Sequence, residues 1–262
     1  LASRINAPDV RVADASWYLP QANRDPRAEF AAAHIPRAVF FDIEDLSDDK
    51  SALPHMLAPA TKFASRMRKL GLGDGNLIVV YDSSGVYSSP RAWWMLRAMG
   101  HSDVVVLDGG LPKWRSEGRP LEDMSASPFA RHFTARKDHA LVKDHIQMRD
   151  NLLTNTYQVV DARGAARFKA IEPESRAGVR GGHIPGSLNV PYTELTNRNG
   201  TLKSRAELKR IFETHGVDCL RPIITTCGSG ITAAIEMLAL AVAGARDVAL
   251  YDGSWAEWGA SD

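Results

Sequence analysis

Four short segments of this 262-residue chain recur in the same order, each displaced by 144 to 149 residues. Asp14-Ala-Ser-Trp17 is matched by Asp161-Ala-Arg-Gly164, and His34-Ile-Pro-Arg-Ala-Val-Phe-Phe41 by His183-Ile-Pro-Gly-Ser-Leu-Asn-Val190. Ile78-Val-Val-Tyr-Asp82 pairs with Ile223-Ile-Thr-Thr-Cys227, and Leu107-Asp-Gly-Gly-Leu-Pro-Lys-Trp114 with Tyr251-Asp-Gly-Ser-Trp-Ala-Glu-Trp258. Arrays of short repeats have periods of about 20–50 residues, so a near-constant shift this long marks a duplicated domain. Whatever one half folds into, the other should fold into as well, and the length allows each half its own core.

Each half alternates β-rich and helical runs. In the first, Val10–Ala13, Val39–Phe41, Leu77–Tyr81 and Val104–Leu107 read as strands, and Thr61–Leu70 and Pro90–Met99 as helices, the latter stopped by Gly100. In the second, Gln158–Asp161, Ser187–Val190, Ile223–Thr226 and Val248–Tyr251 read as strands. Ser204–Thr214 and Ile231–Ala243 read as helices, with Ser204-Arg-Ala-Glu207 a capping box. Lys143–Leu153 should be a helix opening the second half. The pattern predicts an α/β fold: two tandem domains, each a mostly parallel sheet flanked by helices, with ligands beyond the carboxyl ends of the strands. The expected division is residues 1–122, a Ser-, Pro-, Arg- and Lys-rich linker over 123–138, and residues 139–262.

Cys227 falls at such a strand end, followed by Gly228-Ser-Gly-Ile-Thr232 and a dozen helix-favouring residues. Two glycines let the turn curl until backbone N–H groups and the positive end of a helix face the sulfur. That environment stabilises anionic sulfur and makes a nucleophile of the thiol. A small core cysteine is the alternative, but Gly-Ser-Gly serves packing poorly. The first half carries Asp82 at this position, which cannot act as a sulfur nucleophile, so the chemistry belongs to the second half.

Lys and Arg together number 32 and Asp and Glu 31, a formal net charge of +1, which gives no reason to expect nucleic acid or an anionic membrane as partner. The apolar run Ile231–Ala245 contains Glu236 and is shorter than the roughly 20 residues that span a bilayer. The first residues lack the apolar core of a signal peptide, while the absence of an initiating methionine leaves a removed leader open. Two cysteines, Cys219 and Cys227, fit a reducing, cytoplasmic compartment, with Cys219 a buried or half-buried bystander.

These features resemble the two-domain rhodanese superfamily of sulfurtransferases. The resemblance rests on the Cys227-Gly-Ser-Gly-Ile-Thr232 loop together with Asn23-Arg-Asp25, His34-Ile-Pro36, Phe41-Asp-Ile-Glu44, His55-Met-Leu57, Tyr87-Ser-Ser-Pro-Arg-Ala-Trp-Trp94, Leu107-Asp-Gly-Gly110, His183-Ile-Pro-Gly186 and Tyr251-Asp-Gly-Ser-Trp255. It implies that Cys227 takes sulfur from 3-mercaptopyruvate as a persulfide, releases pyruvate, and passes the sulfur to a small thiol, thioredoxin or cyanide. No metal or organic cofactor is implied, and a monomer is favoured.

Residue by residue, the resemblance implies a proton relay through Ser229, His55 and Glu44. Aspartate is usual where Glu44 stands, so Asp42 competes for the role, and His55 beside Pro54 also reads as an exposed turn residue. His34 and His183 occur in both halves and are structural. Arg167 and Arg176 match the arginines that hold the donor carboxylate, with Arg163 and Arg180 as nearby decoys. Gly228, Gly230, Ile231 and Thr232 form the loop around the donor, and Tyr87 either contacts it or packs. Trp93, Trp94, Trp114, Trp255 and Trp258 read as core or interface. Thiosulfate is the rival donor, but it favours basic residues directly after the cysteine, where this chain has Gly228 and Ser229. A cysteine phosphatase would need an arginine six residues after Cys227, where Ala233 stands. A non-enzymatic interaction module fits only the first half.

Overall fold

The computed structural model describes residues 1–123 and 128–260. Two compact units divide it: residues 1–49, 57–138 and 198–201 in one, and 50–56, 139–197 and 202–262 in the other. Residues 124–127, in the expected linker, lie outside the described residues.

The first unit runs β1 (Val10–Asp14), α1 (Pro26–Ala32), β2 (Ala38–Phe40), α2 (Ala60–Lys69), β3 (Leu77–Tyr81), α3 (Ser89–Ala98), β4 (Val104–Val106) and α4 (Gly110–Ser116). Its strands are all parallel in the order β2-β1-β3-β4, with Val12 opposite Val79 and Val79 opposite Val105. The β-branched runs read from the sequence sit at the middle of the sheet, where covered strands need no apolar–polar alternation. Phe41, Phe63, Met67, Tyr81 and Trp94 are fully buried. Phe133 packs its ring 5.7 Å from that of Phe63, and Asp138 N–H donates to Ala98 O at 2.8 Å.

The second unit contains β5 (Val142–Lys143), α5 (His145–Thr154), β6 (Gln158–Asp161), α6 (Ala165–Phe168), β7 (Leu188–Asn189), α7 (Arg205–Thr214), β8 (Ile223–Thr226), α8 (Ile231–Ala243), β9 (Val248–Tyr251) and α9 (Ser254–Trp258). Its parallel sheet has the order β5-β9-β8-β6-β7, which repeats the first sheet with one strand added at the β9 edge. Lys143, expected to begin a helix, instead pairs with Tyr251 in that added strand. Helix α5 starts after Asp144, whose carboxylate and Gln147 form a capping box. The Ser204–Glu207 capping box on α7 is present as expected. Helices α1, α4, α6 and α9 have only four to seven residues, too few for a periodic pattern to be visible in the sequence.

The duplicated His-Ile-Pro motif has the same job in both units. His34 Nδ1 lies 2.7 Å from Phe30 O with its ring stacked on Phe30 at 4.0 Å. His183 Nδ1 lies 2.9 Å from Phe168 O, stacked on Phe168 at 3.9 Å. No helix among the described residues is long and apolar enough to cross a membrane.

Candidate active site

Cys227 lies in the turn between the central strand β8 and the helix α8, and its side chain is buried. Gly230 adopts φ +82°, a left-handed conformation that glycine accepts without strain, and its N–H donates to Cys227 Sγ at 3.1 Å. The N-cap residue of α8 is this glycine, which has no side chain to turn onto the first helical N–H groups. The helix therefore presents its N-terminal donors and the positive end of its dipole to the sulfur.

The loop is clamped from behind by the start of α9. Trp255 N–H donates to Cys227 O and Ala256 N–H to Gly228 O, both at 2.9 Å. Cys227 N–H donates to Ser254 Oγ at 3.3 Å, while the Ser254 hydroxyl donates to Tyr251 O at 2.9 Å. Ser254 is fully buried at φ +51°, a strained conformation for a residue with a Cβ. Its counterpart in the first unit is Gly110, also at φ +51°.

The two arginines expected to hold a carboxylate stand beside this loop. A Cβ placed on Gly228 would lie 3.4 Å from Arg167 Nη2 and 3.7 Å from Arg176 Nη1, so the missing side chain makes room for both guanidinium groups. Arg167 Nη2 donates to Glu174 Oε2 at 2.5 Å, and Arg163 Nη1 donates to Glu174 Oε1 at 2.8 Å. Arg163 also donates to Asp161 Oδ2 at 2.7 Å and to Gly182 O at 2.8 Å, and lies over the Trp255 ring. Arg163, Asp161 and Glu174 are all but inaccessible, whereas the Arg167 side chain is 30% exposed. Arg163 is thus a buried scaffold for the rim of the site. Arg180 is exposed, and its carbonyl accepts the Trp255 indole N–H.

On α8, Glu236 is wholly buried, and neither carboxyl oxygen has a hydrogen-bond partner among the described residues. Burial first, then the charges of Asp161 and Cys227, hold its carboxyl well above the usual carboxylate range.

The first unit shows what this turn does with an anion inside it. Asp82 Oδ2 accepts the N–H groups of Tyr87, Ser88 and Ser89 at 2.9 to 3.1 Å and the Ser89 hydroxyl at 2.6 Å, while Oδ1 accepts Ser84 N–H. Leu111 N–H holds Asp82 O just as Trp255 N–H holds Cys227 O. One duplicated turn has its donors filled by its own carboxylate. In the other the same frame surrounds a sulfur.

Of the remaining expected residues, Ser229 and Ile231 are buried and Thr232 half-buried on the same loop and first helical turn. His55 belongs to the second unit and, against the alternative of an exposed turn residue, is buried, at φ +60°. Glu44 and Tyr87 belong to the first unit. Glu44 Oε1 accepts the Trp17 indole N–H at 2.8 Å, and Tyr87 is half-buried. Asp42 pairs with Arg27 and caps its own turn through the Glu44 N–H. Trp93, Trp94, Trp114, Trp255 and Trp258 are buried. Cys219 is a half-buried free thiol pushed up by burial and by Glu213 and Asp218. No cluster of His, Cys, Asp and Glu able to hold a metal ion occurs among the described residues.

Ser254, Glu174 and Glu236 were not singled out in the sequence. The replacement of Gly110 by Ser254 in otherwise matching motifs was the visible signal for the first. Glu174 lies two residues before Arg176, a spacing that by itself marks no ion pair.

The family model for the rhodanese-like domain matches residues 1–117 and again 144–261. The chain is 47% identical over 265 residues to the 3-mercaptopyruvate sulfurtransferase of Escherichia coli K12, covering 99% of this chain and 92% of that protein. It is 44% identical over 251 residues to the human 3-mercaptopyruvate sulfurtransferase, covering 95% and 84% respectively. A thiosulfate sulfurtransferase of Gallus gallus is 41% identical over 259 residues, covering 98% and 88%. Among solved structures, SseA from Escherichia coli, described as a 3-mercaptopyruvate sulfotransferase of the rhodanese fold, superposes with a TM-score of 0.89 at 44% identity, covering 97% of this chain and 95% of that one.

Proposed function

This chain belongs to the rhodanese-like family, and from that premise we propose the working of its site: a sulfurtransferase that takes sulfur from 3-mercaptopyruvate onto Cys227. The observation that carries the donor assignment is the convergence of Arg167 and Arg176 on Gly228, beside a nucleophile whose following residues are uncharged. A guanidinium pair suits a carboxylate, and the neutral Cys-Gly-Ser turn leaves no cation where the second anionic group of thiosulfate would need one.

In the proposed step the Cys227 thiolate attacks the thiol sulfur of the donor. An S–S bond forms, the C–S bond breaks, and its electron pair passes to the methylene carbon to give the enolate of pyruvate. The proton of the donor thiol ends on that carbon, so the products are pyruvate and the Cys227 persulfide anion. Ser229 and His55, both buried and both in the second unit, are assigned to move this proton. The persulfide then occupies the N–H cradle, as the Asp82 carboxylate does in the first unit. An acceptor thiolate attacks the outer sulfur and regenerates the Cys227 thiolate. A small thiol, thioredoxin or cyanide is proposed as acceptor, with a cytoplasmic monomer as the working form.

Initial rates with 3-mercaptopyruvate and with thiosulfate, at matched acceptor concentration, test the assignment. A kcat/KM at least tenfold higher for 3-mercaptopyruvate, with stoichiometric pyruvate, is the expected result. A higher efficiency with thiosulfate would assign the protein to the alternative donor.

A further inference from the structure

The buried chain Asp161–Arg163–Glu174–Arg167 contains two cations and two anions and is neutral as a unit. Arg176 reaches the same point beside Gly228 and makes no ion pair among the described residues. The Cys227 loop of the second unit is therefore flanked by two guanidinium groups whose summed charge, once their partners are counted, is a single positive one.

Glu174 sets that count. Its two oxygens are divided between Arg163 and Arg167, at 2.8 and 2.5 Å, and its side chain is 2% exposed, so water does little to screen its charge. The single bond from Nη2 to Glu174 anchors the Arg167 guanidinium, whose side chain is 30% exposed and whose buried Nε has no partner among the described residues.

We propose that Glu174 is a specificity-determining positioning residue. By spanning Arg163 and Arg167 it leaves one net positive charge beside the Cys227 loop and so selects a sulfur donor with one anionic group over a donor with two. 3-Mercaptopyruvate at neutral pH carries one carboxylate, whereas thiosulfate is a dianion with both charges on one small group. Glu174 touches no reacting atom in this account; it acts through Arg167. The inference rests on the sulfurtransferase reading above and names the residue that tunes it.

The test is the ratio of kcat/KM for 3-mercaptopyruvate to kcat/KM for thiosulfate in the full chain and in two variants. Glu174→Gln keeps the size and one acceptor but adds a net positive charge to the rim. The ratio should fall at least tenfold, mostly through a lower KM for thiosulfate, with the variant melting as a folded protein. Glu174→Asp keeps the charge but is too short to reach both arginines. Both efficiencies should drop while the ratio stays within about threefold of wild type. An unchanged ratio in folded Glu174→Gln overturns the proposal, as does a tenfold shift toward thiosulfate in Glu174→Asp. If Glu174→Gln does not fold, Glu174→Asp alone carries the decision. Wild-type protein that releases no pyruvate from 3-mercaptopyruvate overturns the functional reading instead. Wild-type activity with an unmoved ratio overturns only the role of Glu174.

Discussion

At the scale of single residues, the position of the Cys227 loop depends on hydrogen bonds with side chains outside it. Ser254 holds the Cys227 N–H with its hydroxyl while accepting a left-handed backbone that the duplicate assigns to glycine. Ser254→Gly should relieve about 1 kcal/mol of backbone strain relative to Ser254→Ala, yet both should lose about tenfold in kcat/KM because both lose the hydroxyl. Thermal melts and steady-state rates on the two variants check this; equal activity to wild type in either would remove Ser254 from the positioning of the loop. Glu236 gives a pH signature. Its folded-state carboxyl titrates above the ordinary value of 4.5, so the native state keeps a proton that the unfolded chain has lost. The stability this confers is fully present below about pH 4.5 and is lost as pH rises toward the folded-state value. Glu236→Gln removes that loss, so its stability relative to wild type should grow between pH 5 and pH 8 in denaturant titrations. A difference independent of pH would mean that the carboxyl has the same affinity for protons folded and unfolded.

At the scale of elements, the duplication has produced two strand–turn–helix units that solve one problem differently. In the β3–α3 turn Asp82 supplies its own anion to the N–H cradle, and in the β8–α8 turn Cys227 occupies the frame with its sulfur accepting the Gly230 N–H. Asp82→Ala removes an acceptor for four N–H groups and a hydroxyl at a buried position. It should cost about 3 kcal/mol or more in the stability of the first unit. Chemical denaturation monitored in both units checks this, and a loss below about 1 kcal/mol would show that the turn holds without its anion. The ends of β1 and β6 differ in the same spirit. Asp14 accepts Ser16 N–H, has no arginine partner among the described residues and is pushed up to about 6 by burial, whereas the equivalent Asp161 is paired with Arg163. The long, β-branched or periodic elements were legible in the sequence: β3, β6, β8, β9 and α8 begin and end at the residues expected. Helices of one or two turns and the added strand β5 were not, because their residues take that conformation from packing and capping partners elsewhere in the chain.

At the scale of the whole molecule, the sequence carried the two halves and drew attention to Cys227, Arg167 and Arg176, because these show as motifs and as departures between duplicated segments. It did not carry Glu174 as the partner of Arg163 and Arg167, since buried ion pairs depend on three-dimensional approach and leave no spacing rule. Nor did it mark Glu236 as a wholly buried acid, since one acidic residue in an apolar helix looks the same whether it faces water or the core. The central claim is that one cysteine of the two carries the sulfur and that the first half carries none. Its most direct test is to mix the full chain with 3-mercaptopyruvate without acceptor, then map the added mass by peptide mass spectrometry while counting pyruvate. The account predicts one added sulfur per chain, on the peptide containing Cys227, with one equivalent of pyruvate released, and neither sulfur nor pyruvate in Cys227→Ser. Sulfur found on Cys219 with pyruvate release intact in Cys227→Ser would contradict it.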